Sequence, residues 1–327
     1  MKIENRKSKN SEKLVSIVVT SYNHAEFLQQ RMESLFAQTY SNIEIIVVDD
    51  CSTDASREYL NQYKTHPKVR LYLLEKNNGY IYASNFGVSQ AKGEYIVFAE
   101  CDDFSEPDQI ATLYQAITTN NNIGVAWSCS NMTDETGNII GTDFPIRSAA
   151  FQNYCRTNVQ VPGWMILKFM MHSCVVPNMS AAMFKKSLFT GIGGLSDKYR
   201  LSADLEFWVR MAEVGDFYYL KRPLNYFRTH PDTVRTHLGR SVQLIEMVDV
   251  IFHLKKKVSR TLKEKIEINI HLGYVWYYFA RNEFRSFRRT FVPVLSGTFR
   301  QEPLLLLFML LNIPVLSLKK IGKLLRS

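Results

Sequence analysis

Five short, mostly apolar runs alternate with helix-like stretches along the first 130 residues, and this alternation restricts the fold more than any other feature of the chain. The runs are Leu14–Thr20, Ile43–Val48, Val69–Leu74, Tyr95–Ala99 and Ile123–Ser128. Between them, Glu26–Gln38, Asp54–Tyr63, Ile81–Ala91 and Pro107–Ile117 read as helices, the last opening on a proline as a first turn does. Strands of five to seven apolar residues spaced by helices predict an α/β fold, an open and mostly parallel sheet covered on both faces. Such sheets bind ligands beyond the carboxyl ends of their strands, so the residues just after each run carry the functional argument.

Three of those ends are polar. The first run ends in Thr20-Ser21-Tyr22-Asn23, the second in Asp49-Asp50-Cys51-Ser52-Thr53-Asp54, and the fourth in Glu100-Cys101-Asp102-Asp103. If the strands are neighbours, these carboxylates and hydroxyls converge on one edge. Carboxylates packed together repel and raise one another's pKa, and a divalent cation removes that penalty. Oxygen ligands suit Mg²⁺ or Mn²⁺, whose remaining positions are commonly filled by substrate phosphates. The pattern therefore predicts a site for a phosphorylated ligand plus a metal. The alternative for one acidic turn is a capped turn, with Asp54 capping the next helix. Two acidic turns on consecutive half-units favour a site. No GxGxxG follows the first run and no GxxxxGK[ST] occurs, so neither a dinucleotide fingerprint nor a P-loop is expected.

From VSIVVTSYNHAEFLQQRMESLFAQTYSNIEIIVVDDCSTD through NNGYIYASNFGVSQAKGEYIVFAECDD, the chain resembles the nucleotide-sugar-binding half of a family 2 glycosyltransferase. The resemblance continues more loosely through Asn178-Met179-Ser180, Gly193-Gly194, Asp204-Leu205-Glu206-Phe207-Trp208 and Tyr226-Phe227-Arg228-Thr229-His230, covering roughly residues 14–237. It implies a Rossmann-like, glycosyltransferase A-type sheet. It also implies donor-nucleotide contacts from Thr20, Tyr22 and Asn23, a base-holding carboxylate at Asp50 and a ribose contact at Asp102. Asp103 matches the metal ligand, Asp204 the general base, and His230 a position near the diphosphate or metal. A lone histidine there also reads as a turn residue. Arg228 and Lys221 are candidates to screen diphosphate charge. The chain departs from common members at three positions: Glu100 stands where many have Asp, Ala203 where many have Glu, and Ser84 where many have Arg. It lacks the Q-x-x-R-W sequence of processive synthases, so one sugar per event is expected.

The chemistry of an inverting transfer calls for the same roles. One carboxylate takes the acceptor hydroxyl's proton, and a cation stabilises the departing diphosphate. The resemblance thus implies transfer of one sugar from a nucleotide-diphosphate sugar, UDP favoured, to a saccharide or lipid-linked acceptor. Two other readings compete. A sugar-1-phosphate nucleotidyltransferase would need a Gly-rich, basic loop after the first strand, which TSYNHAEF is not. A non-catalytic scaffold on a degenerate transferase fold is disfavoured by intact Asp50, Asp102, Asp103 and Asp204.

Charge separates the remainder of the chain. The net charge is +9, from 40 Lys+Arg and 31 Asp+Glu, and residues 241–327 hold 15 of the basic and 6 of the acidic residues. Residues 1–240 therefore carry 25 of each. The expected organisation is a flexible stretch over 1–13, a catalytic domain over 14–240 divided near residue 143 into donor and acceptor halves, and a basic, helical region over 241–327. Within the last, the apolar run 304–318 is too short and too interrupted by Asn312 and Pro314 to span a bilayer. Lys319, Lys320, Lys323 and Arg326 follow it, so it is expected either to lie on an anionic membrane surface or to pack on the protein itself. A nucleic-acid partner is not expected. Five scattered cysteines without zinc spacing read as free thiols in a reducing compartment, and the polar first thirteen residues do not read as a signal peptide. These features place the expected enzyme in the cytoplasm, peripheral on the inner face of the cell membrane.

Overall fold

In the computed structural model, β1 (Val15–Ser21), β2 (Ile43–Asp49), β3 (Val69–Leu73) and β4 (Tyr95–Glu100) lie side by side in the order β3-β2-β1-β4, all parallel. The structure describes residues 12–230 apart from 172, 173 and 177, together with 243, 246, 247, 249–251 and 254. Ile17, Val18 and Val19 are all buried, as a strand covered on both faces requires. On one face α1 (Ala25–Phe36) and α4 (Gln109–Ile117) set Leu28, Met32, Leu35, Ile110 and Leu113 into a cluster with Ile17, Val19, Ile45 and Val97. On the other face α3 (Tyr80–Gln90) lies against β1 and β2 through Gly87, where a Cβ would fall 2.4 Å from Val18 Cγ1. A short helix α2 (Ser56–Asn61) follows β2.

Glu44 ties the amino ends of these strands together. Its carboxylate accepts from Ser16 Oγ (2.5 Å), Lys92 N–H (2.6 Å) and Arg70 Nη2 (2.6 Å). Burial works against the charged form, but these hydrogen bonds and the Arg70 charge prevail and hold the Glu44 carboxyl below its ordinary range.

Beyond β4 the sheet becomes mixed. The fifth expected strand, β6 (Ile123–Thr133), does not pair with β4; β9 (Ala182–Lys185) is inserted between them, antiparallel to both. Then come β10 (Asp216–Arg228), parallel to β6, and the two-residue β5 (Phe104–Ser105), antiparallel to β10. Two further short strands, β7 (Ile139–Thr142) and β8 (Val159–Val161), pair with β6 and β10. The irregular composition of the middle third hid these strands. Strand β10 has Lys221-Arg222-Pro223 at its centre, and its register with β6 shifts on both sides of Pro223, which cannot donate to a ladder. The remaining helices are α5 (Ala149–Tyr154), α6 (Gly163–Met170), α7 (Lys186–Gly191) and α8 (Ala203–Val214). Phe207 and Trp208 of α8 are core residues: Phe207 meets Phe184 and Phe189 edge-on, and Trp208 meets Phe184 edge-on.

The chain divides into two units, Met1–Tyr199 with Ala203–His230, and Arg200–Ser202 with Pro231–Ser327. In the second unit Glu246 accepts the backbone N–H groups of Arg200, Leu201 and Ser202 at 2.7–2.8 Å. Among the described residues no helix is long and apolar enough to cross a membrane. The apolar run 304–318 and its basic flank lie outside the described residues. All five cysteines are free.

Candidate active site

Strand register brings the three polar ends together. Thr20 sits opposite Val48 on one side and Glu100 on the other, and Ser21 opposite Asp49. The first two ends are then stapled to each other. Asn23 N–H donates to Ser52 Oγ (2.9 Å), and Asn23 Oδ1 accepts from Thr53 N–H (2.8 Å). Both turns use left-handed backbone, at Asn23 (φ 55°) and Cys51 (φ 68°). Asp54 accepts the first N–H of α1 (Ala25, 3.0 Å) as well as that of α2 (Ser56, 3.0 Å), so the expected capping residue serves two helices.

The Asp49-Asp50 pair divides its work. Asp49 is fully buried and accepts from Ser52 N–H, Ser52 Oγ and Arg57 Nε (2.7 Å), which makes it a fold residue. Asp50 takes Asn78 N–H (2.9 Å) and Gly79 N–H (2.7 Å), one on each oxygen. Gly79 has φ 87°, a conformation that favours glycine, so this turn and its contact to Asp50 depend on each other. Tyr22 stands 42% exposed and Thr20 is half-buried. Asn23, expected at the donor with them, has its side-chain oxygen engaged by Thr53.

The Asp102-Asp103 pair departs from expectation. Asp103, expected at the cation, is 1% exposed and turned inward. Its oxygens accept from Arg228 N–H (3.1 Å) and Asn178 Nδ2 (2.7 Å), with Arg31 Nη2 at 3.9 Å. Burial first, then the charge of Asp102, push its pKa up to about 6 against the pull of Arg31. Asp102 is the carboxylate that faces outward: His230 Nε2 lies 3.1 Å from its Oδ2, and ligand atoms of His24, Asp102 and His230 all fall within 4.8 Å of one another. Burial opposes the Asp102 charge, but the His230 hydrogen bond and the two histidines outweigh it, so its pKa lies below the ordinary value. Glu100 moves the other way. Burial and then the charges of Asp103, Asp102 and Asp204 hold it well above the usual carboxylate range.

Arg228 also departs from expectation. Its Nε donates to Asp102 O (2.7 Å), Nη1 to Glu135 O and Nη2 to Gln30 Oε1, and its plane lies over Phe27 (4.7 Å) and Phe104 (5.4 Å). With every guanidinium nitrogen engaged and the side chain buried, it clamps β10 to the acidic turn and does not present itself to a diphosphate. Lys221 extends over the Phe144 ring (5.5 Å).

Asp204 lies in the first turn of α8, half-buried, with Oδ1 accepting Leu205 N–H (2.7 Å). Its charge contributes to the raised pKa of Glu100 and, behind burial and Glu100, to that of Tyr80. It therefore acts on the same acidic edge.

Four participants were not singled out from sequence. His24 follows Asn23 directly, so the rule that pointed to the strand ends could have included it. Asn178, which donates to Asp103, and Ser180, whose Oγ accepts Glu100 N–H at 2.9 Å, lie in the loosely matching Asn178-Met179-Ser180 stretch. Arg31 is 1% exposed beneath the acidic turn and donates from Nε to Glu100 O (2.9 Å). Its only signal was a charge within the apolar stripe of α1.

A half-parallel, half-mixed sheet with carboxylates at its carboxyl edge is the A-type fold found among glycosyltransferases. Residues 16–176 belong to glycosyl transferase family 2, whose profile matches them. The chain is 35% identical over 184 residues to glycosyltransferase GlyG of Streptococcus pneumoniae, a stretch that covers 55% of this chain and 59% of that relative. In fold it is similar to S. aureus TarS 1–349 in complex with UDP-GlcNAc (TM-score 0.61, 16% identity, 83% of this chain and 73% of that one). It is likewise similar to the mannosyltransferase PcManGT of Pyrobaculum calidifontis in complex with GDP-Man and Mn²⁺ (TM-score 0.57, 17% identity, 93% and 88%).

Proposed function

We propose that this glycosyltransferase moves one sugar from a nucleotide-diphosphate sugar, UDP favoured, to a hydroxyl of a surface-glycan or lipid-linked saccharide acceptor, with inversion. The observation that carries the reading is the shared edge: Asp50 on the Asn78 and Gly79 amides, Asp102 against His230, and Asp204 within electrostatic reach of Glu100. Asp204 takes the proton of the acceptor hydroxyl as its oxygen bonds to the anomeric carbon. The bond from that carbon to the diphosphate oxygen breaks, and its electron pair leaves with the nucleoside diphosphate. Thr20 and Tyr22 line the base and Asp50 accepts from it.

The donor set fits a divalent cation, Mn²⁺ or Mg²⁺. One ionised carboxylate stands beside two imidazoles, an arrangement a cation satisfies better than a proton shared by Asp102 and His230. Asp102 and His230 would hold it, and when bound it would offset charge on the leaving diphosphate. The fold neighbours with UDP-GlcNAc, and with GDP-Man and Mn²⁺, support this reading.

Thermal unfolding with UDP, GDP, dTDP, CDP and ADP, each with and without Mn²⁺, tests it. Ligands that bind the native state raise the midpoint by mass action. The expected result is a rise with UDP that needs Mn²⁺ and disappears in Asp102→Ala. No rise with any nucleotide would favour the non-catalytic scaffold. The basic carboxyl-terminal region supports a second proposal, that the enzyme works in the cytoplasm at the inner face of the cell membrane, held by residues 304–327.

A further inference from the structure

We infer that His24 is a third ligand of the cation site, and that it makes the site prefer a first-row transition cation over Mg²⁺. The inference rests on the metal-dependent reading above and concerns which residue sets its metal preference. Among the described residues, His24, Asp102 and His230 form the group whose ligand atoms lie within 4.8 Å of one another. They come from three separate places in the chain: the turn after β1, the turn after β4 and the end of β10.

The local structure holds His24 for this task. Its backbone turn is fixed by the Asn23 contacts to Ser52 and Thr53, and its C=O accepts Phe27 N–H (3.1 Å). Its ring sits edge-on to His230 (centroids 5.5 Å apart) and near Phe27 (5.9 Å). Cys101 Sγ lies 3.3 Å from Nδ1, the kind of outer contact that orients a metal-binding imidazole. Behind the other ligands, Arg228 holds Asp102 by its carbonyl.

The chemistry of the set then decides the metal. Oxygen donors and water suit Mg²⁺, whereas imidazole nitrogen favours first-row transition cations, with affinity rising from Mn²⁺ to Co²⁺. Asp102 with His230 alone supplies one oxygen and one nitrogen. Adding His24 makes the set two nitrogens and one oxygen. The packing of His24 on Phe27 and Cys101 would by itself explain the position of its half-buried ring, so the test must read metal ligation directly.

Mn²⁺ binding to the full chain is followed by electron paramagnetic resonance, with and without UDP, and Mg²⁺ and Co²⁺ are added as competitors. The wild type is expected to hold Co²⁺ most tightly and Mg²⁺ least. His24→Ala is expected to weaken Mn²⁺ binding by about tenfold or more while changing Mg²⁺ binding by less than about twofold. Spin-echo modulation from ligated nitrogen is expected to count two imidazoles on Mn²⁺ in the wild type and one in His24→Ala. The wild-type count needs no variant, so a misfolded His24→Ala does not remove the test. One imidazole in the wild type, or unchanged Mn²⁺ affinity in a folded His24→Ala, overturns the role of His24 and leaves the transferase reading intact. A wild type that binds neither Mn²⁺ nor UDP overturns the reading on which the inference rests.

Discussion

At the scale of single residues, two charges decide how the acidic turn is built. Arg31 is a buried guanidinium with Nη2 unpartnered except for Asp103 at 3.9 Å, so it neutralises that buried carboxylate from below. Replacing it with methionine leaves Asp103 buried beside Asp102 without a cation. Arg31→Met is expected to destabilise the protein by about 3–5 kcal/mol in urea unfolding. Arg31→Met with Asp103→Asn should cost less than the sum of the two single changes, because the pair shares one interaction. Asp204, proposed as the base, is the opposite case in being half-buried. Asp204→Asn is expected to lower kcat by about 10²–10⁴-fold while UDP affinity, read by titration calorimetry, stays within about twofold. Equal loss of UDP affinity would assign Asp204 to donor binding. Asp204 was singled out only through the resemblance of ADLEFWVR to the family's pattern, since a carboxylate in a helix's first turn has no such role by itself. Arg31 was not, because its partner lies 72 positions away and nothing in α1 reports it.

At the scale of elements, the parallel half depends on two junctions of different kinds. Glu44 joins β1, β2, β3 and the segment before β4. Its carboxyl is held below the ordinary value of 4.5, so its contribution is complete above that pH and is lost as pH falls through the lower folded value. Stability measured in urea is therefore expected to be higher in the wild type than in Glu44→Gln by about 2 kcal/mol at pH 7, with the gap closing below pH 4.5. A gap that persists in acid would mean packing, not charge, carries the junction. The second junction is the turn into α3. Gly79 has open space where a Cβ would go, so Gly79→Ala acts only through its φ of 87°. It is expected to cost about 1–2 kcal/mol and to weaken UDP binding, since Gly79 N–H holds Asp50. The strands β1 to β4 were legible because each is a short, mostly apolar run. Strands β9 and β10 were not: one has four residues, and the other carries Lys-Arg-Pro at a register shift.

At the scale of the whole molecule, charge and chemistry occupy different lengths of the chain. The excess of nine positive charges lies in residues 241–327, while every residue assigned to the site lies between 20 and 230. Removing residues 303–327 is expected to release the protein from anionic vesicles in a sedimentation assay while leaving UDP binding unchanged. Continued sedimentation would place the membrane contact elsewhere. The sequence by itself determined the parallel half-sheet, the edge that carries the site and the family, because these depend on periodicity and on short contiguous motifs. Only the tertiary structure decided which partners each carboxylate of the two acidic pairs meets. Asp49 and Asp103 turn inward because Arg57, Arg31, Asn178 and the Arg228 backbone meet them there. Asp102 turns outward to His24 and His230. Arg228 likewise became a clamp through Gln30, Glu135, Phe27 and Phe104. Adjacent residues of like charge are equivalent in a sequence, and partners brought from distant segments make them different.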